Sequence, residues 1–199
     1  MIAAVILAAG ASRRMGRPKL TLPWREGGTI IGHVVHVYRS AGASPVVVVA
    51  SERDHALAEA LTDLQVTLVL NPHSAEGEMF SSVKAGLEAL GGTKVEAVLL
   101  APGDHPQIAP ATVGLLIEAW RERRARIIAP SLEGRRGHPI LIGRALWGAV
   151  LSLAADKTMR DFLREREEEI EYVVVEDRGV LRDIDTPDDY ARALSEPEG

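Results

Sequence analysis

Short runs rich in β-branched residues, at positions 2–7, 46–50, 66–70, 95–101 and 126–129, alternate with segments whose apolar residues recur at helical spacing, at 29–41, 54–64, 78–90 and 109–123. This alternation constrains the fold more than any other feature of the chain. Strand, helix, strand, helix at this spacing builds βαβ units, and such units assemble into a mostly parallel sheet with helices on both faces. The expected architecture is therefore α/β, a three-layer αβα, Rossmann-like fold. Thr29 and Ser51 stand where helix N-caps belong, and Gly42 and Gly91 where helices stop. Beyond Pro130 the pattern loosens. A turn is expected at 134–137, a strand at 139–142, helices at 144–153 and 157–166, a strand at 170–175 and a closing helix at 186–194, with Pro187 in its first position.

The 199 residues suit one domain, with no internal repeat and no Pro-, Gly- or Ser-rich linker to divide it. The chain has three Trp, three Tyr and two Phe against 46% apolar residues overall, so aliphatic side chains must fill its core. No apolar run is long enough to span a membrane, and the N-terminus lacks the basic region and cleavage site of a signal peptide. The absence of cysteine removes disulfides, thiolate metal ligands and cysteine nucleophiles, and fits a reducing cytoplasm as the expected location. A net charge of −5 argues against a general nucleic-acid binder.

Against that acidic background, the first strand empties into a basic loop, Leu7-Ala8-Ala9-Gly10-Ala11-Ser12-Arg13-Arg14-Met15-Gly16-Arg17-Pro18-Lys19. Small residues at Ala8, Ala9 and Gly10 let backbone N–H groups approach an anion, and Arg13, Arg14, Arg17 and Lys19 supply positive charge. Five residues separate Gly10 from Gly16, with Arg17-Pro18 following, so the loop is not a P-loop; no G-x-G-x-x-G opens a helix here, so it is not a dinucleotide fingerprint. Pro18 disfavours a helix running through the segment. The loop reads as an open cover for a phosphate ligand, the alternative being a solvated surface loop.

Two acidic segments are candidate metal sites. Asp104, in Ala101-Pro102-Gly103-Asp104-His105-Pro106, follows a strand and suits Mg²⁺, which binds phosphates through one or two carboxylates and water; a turn or cap aspartate is the rival reading. Asp183 and Asp185 lie two apart in an extended stretch and share a face, becoming metal candidates if they converge on Asp104. Asp188 and Asp189 read as companions of a helix N-terminus. Gly77, Ser81 and Ser82 fall near the start of a helix, where free N–H groups favour ligand oxygens or simply a cap. In the basic turn Gly134-Arg135-Arg136-Gly137-His138, Arg136 and His138 are candidates for a second anionic substrate, or His138 hydrogen-bonds within its loop. His33 and His36 read as ordinary helix residues. No nucleophile–base pair stands out, so covalent catalysis has no candidate.

Together these segments resemble the molybdenum cofactor nucleotidyltransferases, and most closely their cytidylyltransferase branch. The resemblance runs from Leu7-Ala8-Ala9-Gly10…Arg14-Met15-Gly16…Lys19, through Ala101-Pro102-Gly103-Asp104 and Arg136-Gly137-His138-Pro139, to Asp183-Ile184-Asp185-Thr186-Pro187. It departs from the family pattern at Glu76–Ser82, one residue longer, and at Asp156-Lys157-Thr158-Met159-Arg160. The resemblance implies a sheet of the GT-A-like nucleotidyltransferase type. It implies a nucleotide-binding half over 1–105, with Leu7, Ala8, Ala9, Gly10, Ser12, Arg13, Arg14, Gly16, Lys19, Gly77, Ser81 and Ser82 around the triphosphate, and an acceptor-binding half over 106–199. Lys19, Arg14 and Asp104 are then the catalytic set, with Mg²⁺ on Asp104 and on Asp183 or Asp185. Ala9 favours CTP over GTP as the nucleotide. The implied acceptor is molybdopterin, with a molybdoenzyme as recipient of the product; a sugar phosphate or phospholactate acceptor, and a non-catalytic nucleotide-binding chaperone, are the alternatives.

Overall fold

The computed structural model describes every residue except 26–27, 74–78, 155 and 197–199. Its spine is β1 (Ile2–Leu7), hydrogen-bonded on one side to β2 (Val46–Ser51) and on the other to β4 (Ala97–Pro102), both parallel. β3 (Thr67–Asn71) extends the sheet beyond β2, also parallel. On the far side β7 (Ile140–Gly143) pairs antiparallel with β4 and with β5 (Ile127–Leu132). β5 in turn pairs parallel with β8 (Ile170–Val174) and antiparallel with the two-residue β6 (Arg135–Arg136). The eight strands form one sheet, and the expected mostly parallel α/β architecture is present. Its one inserted antiparallel strand, β7, is what the looser pattern after Pro130 encodes.

The apolar strands are explained by burial on both faces. Ala4, Ile6, Val46 and Val48 point to one side, toward α1 (Ile30–Ser40) and α4 (Pro110–Arg123). Ala3, Val5, Val47 and Val49 point to the other, toward α3 (Met79–Ala89), α5 (Trp147–Leu151) and α6 (Met159–Arg164). α1 is capped by Thr29, whose Oγ1 accepts from Gly32 N–H at 3.1 Å. The cap of α2 (His55–Ala60) is Asp54, not Ser51, since Asp54 Oδ1 accepts from Leu57 N–H at 3.0 Å. A carboxylate at this end also opposes the helix dipole favourably, which a hydroxyl does only weakly.

The last segment of the chain is lashed to the loop that follows β4. α4 has no capping side chain of its own; Asp177 supplies one from 68 residues away, accepting from Ala109 N–H at 2.9 Å and from the Thr112 hydroxyl at 2.7 Å. Asp177 also accepts from Gly179 N–H at 2.8 Å, opening the 3₁₀ turn Arg178–Leu181. Gly179 then lies flat on the backbone of the β4–α4 loop: a Cβ there would meet Gln107 O at 2.2 Å and Ile108 N at 2.6 Å. Ile184 N–H donates to Asp104 O at 3.0 Å, and the closing helix α7 (Pro187–Ser195) begins directly after, with a capping box between Thr186 and Asp189 and Pro187 in its first turn. Replacing Gly179 by Ala forces two backbone segments apart, because neither can yield as a flexible side chain would. We expect Gly179→Ala to cost roughly 2–4 kcal/mol of stability in denaturant unfolding; a loss below about 0.5 kcal/mol would mean the two segments are not held in this contact.

Candidate active site

Because β1, β2, β3, β4, β5 and β8 all run the same way, their carboxyl ends share one edge of the sheet, and antiparallel β7 starts there. Open α/β sheets bind ligands outside that edge. The loops at this edge are 8–19 after β1, 52–54 after β2, 103–108 after β4, 137–139 before β7 and 177–185 after β8, and all but the second carry site residues the sequence singles out. Between them lies a cavity of about 1050 Å³.

At the floor of this cavity Lys19 is buried, with a side chain 10% exposed, and its ammonium joins two carboxylates from distant parts of the chain. Nζ donates to Asp104 Oδ2 at 2.6 Å and to Asp185 Oδ1 at 3.0 Å. Arg14 Nη2 approaches the other oxygen of Asp185 at 2.5 Å. The loop is folded to deliver this lysine: Ser12 adopts a left-handed conformation (φ 48°), its carbonyl receives Met15 N–H and Gly16 N–H, and its hydroxyl accepts from Lys19 N–H at 3.2 Å. Gly16, at φ +70°, completes the turn in a region glycine enters without penalty. Among the described residues, the amides of Gly10, Ala11 and Arg13 donate to no protein acceptor, which leaves them free for an anion.

The charges are mutually tuned. Burial works against the Lys19 ammonium, but Asp104 and then Asp185 outweigh it and hold its pKa above the ordinary value. Burial likewise works against the Asp185 carboxylate, yet hydrogen bonds from Lys19 and Asp183, with the charges of Lys19 and Arg14, keep its pKa low. Asp183 behaves oppositely. Burial and then the neighbouring Asp185 raise its pKa above the ordinary carboxylate value. Asp185 is thus the carboxylate that meets Asp104 on the Lys19 ammonium, with Asp183 as its neighbour two residues away.

Behind Asp104 sit two imidazoles, His105 and His138, with ring centroids 5.5 Å apart in an edge-to-face arrangement. His105 Nε2 is 4.0 Å from Asp104 Oδ1, and Nδ1 of each ring is buried with no hydrogen-bond partner among the described residues. Burial lowers the pKa of both, that of His138 to about 4.

The cavity wall includes Leu7, Ala9, Gly10, Ser12, Arg13, Arg14, Gly16 and Lys19 from the first loop, together with Ser82, Asp104 and Asp185. Ala8 is buried beneath it, its N–H bound to Val49 O at 2.8 Å. Ser81 and Ser82 both accept from the buried Asn71 amide, at 2.8 and 2.9 Å, which fixes the start of α3 against the end of β3. Gly77 lies outside the described residues. Arg136 faces elsewhere, paired with Glu167 at 3.0 Å, and neither it nor His138 lines the cavity. Sequence reasoning missed Ser51 and Arg53, which line the wall at the end of β2. The signal was available, since the loop after β2 must open on the same edge as the loop after β1. Arg13, Arg17 and Arg53 have no ion-pair partner among the described residues, so three guanidiniums on the wall stand ready for a polyanion.

This geometry agrees with what the chain is similar to. The family model of the MobA-like NTP transferase domain matches residues 4–170, and the chain belongs to that nucleotidyltransferase family. A molybdenum cofactor cytidylyltransferase from Escherichia coli K12 is 30% identical over 190 residues, 95% of this chain and 93% of that protein. A nicotine blue oxidoreductase from Paenarthrobacter nicotinovorans is 33% identical over 200 residues, 97% of this chain and 96% of that protein. Among solved structures, Rv0371c from Mycobacterium tuberculosis H37Rv superposes with a TM-score of 0.83 at 29% identity, covering 98% of each chain. The manganese complex of Rv0371c superposes with a TM-score of 0.79 at 26% identity, covering 98% of this chain and 99% of that one.

The histidine pair makes stability depend on pH with a defined sign. In the unfolded chain His138 takes up a proton below about pH 6.5, whereas in the fold it stays neutral down to about 4. The unfolded state therefore binds more protons in that window, and stability is full above pH 6.5 and lost as pH falls toward 4. The shift corresponds to a loss on the order of 3 kcal/mol. We expect His138→Gln to remove most of that slope in urea unfolding between pH 7 and 4; an unchanged slope would show that His138 is not held neutral.

Proposed function

We propose that this protein transfers CMP from CTP to molybdopterin, releasing pyrophosphate in a Mg²⁺-dependent reaction. The observation that carries the reading is the Lys19 ammonium set between Asp104 and Asp185 on the floor of a cavity walled by unpaired arginines. Ala9 and the similarity to the E. coli cytidylyltransferase support CTP and the molybdopterin acceptor. Residues 1–105 would take the nucleotide and residues 106–199 the acceptor, with His138 at that edge and Arg136 available once it leaves Glu167. The lack of cysteine supports action in the cytoplasm.

The donor set fits a hard divalent cation. Two carboxylates, 24% and 18% exposed, already converge on one cationic centre. Among the described residues no three acidic or histidine side chains form a ready cage, which suits an ion that completes its shell with phosphate oxygens and water. Manganese in the Rv0371c complex supports the same class of ion. When bound by Asp104 and Asp185, the cation supplies charge neutralisation to the triphosphate.

The chain's own residues perform the rest by positioning and electrostatics. Arg13, Arg14 and Arg17, with the free amides near Gly10, hold the β- and γ-phosphates and stabilise the departing pyrophosphate. Lys19 contacts the α-phosphate and offsets the charge that builds there as the acceptor phosphate attacks in line. An acceptor phosphate is already ionised at pH 7, so the reaction needs no general base, and direct in-line attack needs no covalent intermediate.

A pyrophosphate-release screen of CTP, GTP, ATP and UTP against molybdopterin and several sugar phosphates tests the reading. Preference for CTP with molybdopterin is expected; release only with another triphosphate or acceptor would reassign the substrates. No release with any pair, alongside a redox change of nicotine blue, would favour the activity named for the nicotine blue relative. Lys19→Ala should lower turnover about a hundredfold, equivalent to about 3 kcal/mol, with the fold intact by circular dichroism. Asp104→Asn should abolish metal-dependent release, and unimpaired activity in either variant would remove that residue from the site.

A further inference from the structure

Lys19 makes its two strongest contacts with the groups that a metal needs. Its ammonium lies 2.6 Å from Asp104 Oδ2 and 3.0 Å from Asp185 Oδ1, and Arg14 takes the other oxygen of Asp185 at 2.5 Å. The two carboxylates are thus neutralised from within by two cations of the same loop. The three remaining arginines of the cavity wall, Arg13, Arg17 and Arg53, have no ion-pair partner among the described residues. One set of cations is committed and the other is open.

We infer that Lys19 is an internal counter-ion that keeps free divalent metal off Asp104 and Asp185 until a triphosphate arrives to draw the lysine away. The inference rests on the nucleotidyltransferase reading and adds an order to it. A cation bridging the two carboxylates and the Lys19 ammonium cannot occupy one place together, and their charges repel at such distances. With only two protein carboxylates on offer among the described residues, a free ion gains too little to displace a buried, doubly hydrogen-bonded lysine. A triphosphate changes that balance from both sides. It docks first on the open arginines, offers Lys19 and Arg14 new anionic partners within their own loop, and brings additional oxygens to complete the ion's shell. Metal binding and nucleotide binding then favour each other reciprocally.

Equilibrium binding of Mn²⁺, followed by the electron paramagnetic resonance signal of the free aquo ion, tests this with no nucleotide present. Lys19→Met should bind Mn²⁺ at least tenfold more tightly than the wild type, and the gain should vanish in the Lys19→Met/Asp104→Asn double variant. Equal or weaker binding by Lys19→Met, or a gain that survives loss of Asp104, overturns the inference. A measurement on the wild type guards against misfolding of the variant. The chain has four lysines, so the side-chain ammonium of Lys19 is readily assigned by ¹⁵N NMR. Its signal should hold through millimolar Mg²⁺ and move only when CTP is added with it; movement with Mg²⁺ alone overturns the inference as well. Pyrophosphate release by the wild type, run in parallel, separates the two levels. Turnover without the Lys19 effect removes only the counter-ion role, whereas absence of turnover removes the transferase reading.

Discussion

A single ammonium group ties together three stretches of chain that are far apart in sequence. Lys19 reaches Asp104 across 85 residues and Asp185 across 166, and the site exists only where those stretches meet. An ion pair of this depth is not a source of net stability by default, because burying its charges costs about as much as their attraction returns. The sheet and the segment following β8 must therefore place the carboxylates beforehand. Asp177 capping α4, Gly179 against the Gln107–Ile108 backbone and Ile184 N–H on the Asp104 carbonyl are the contacts that do so. The polar centre sits on a scaffold assembled by packing and backbone hydrogen bonds.

Much of that scaffold is legible in the residues. The valine and isoleucine runs declare strands because nothing polar interrupts them, and Thr29, Thr186 and Pro187 mark helix starts by local chemistry alone. Ser51 misleads because a hydroxyl at a strand end resembles a cap, and only the chain's path reveals that Asp54 is better placed. The insertion of β7 between β4 and β5 follows from long-range pairing, for which four apolar residues give no directional signal.

The chemistry was legible to a different depth. Lys19, Asp104 and the Asp183–Asp185 pair stand out by residue type and position, but their meeting is a tertiary fact. Sequence left open which of Asp183 and Asp185 would face the centre; the geometry gives the contact with Lys19 to Asp185. Arg53 escaped notice because a lone arginine after a strand looks like any surface residue until the cavity beside it is seen. Asp177, on which the placement of Asp185 depends, had no motif at all, since the helix it caps lies 68 residues upstream.

The strands on both sides of the cavity belong to one hydrogen-bonded sheet, running from β3 through β1, β4 and β7 to β5. That continuous sheet leaves no hinge between its two ends among the described residues. The β1 side and the β5 side cannot swing together as two lobes, because any rotation between them would shear the β4–β7 and β7–β5 ladders. Any change in the cavity's opening therefore falls to backbone at its rim. The stretch from Ala9 to Pro18 is the rim segment built from small residues and turns rather than from sheet. This loop also supplies much of the cavity wall, so residues that stiffen it would slow passage through the opening as well as firm the wall.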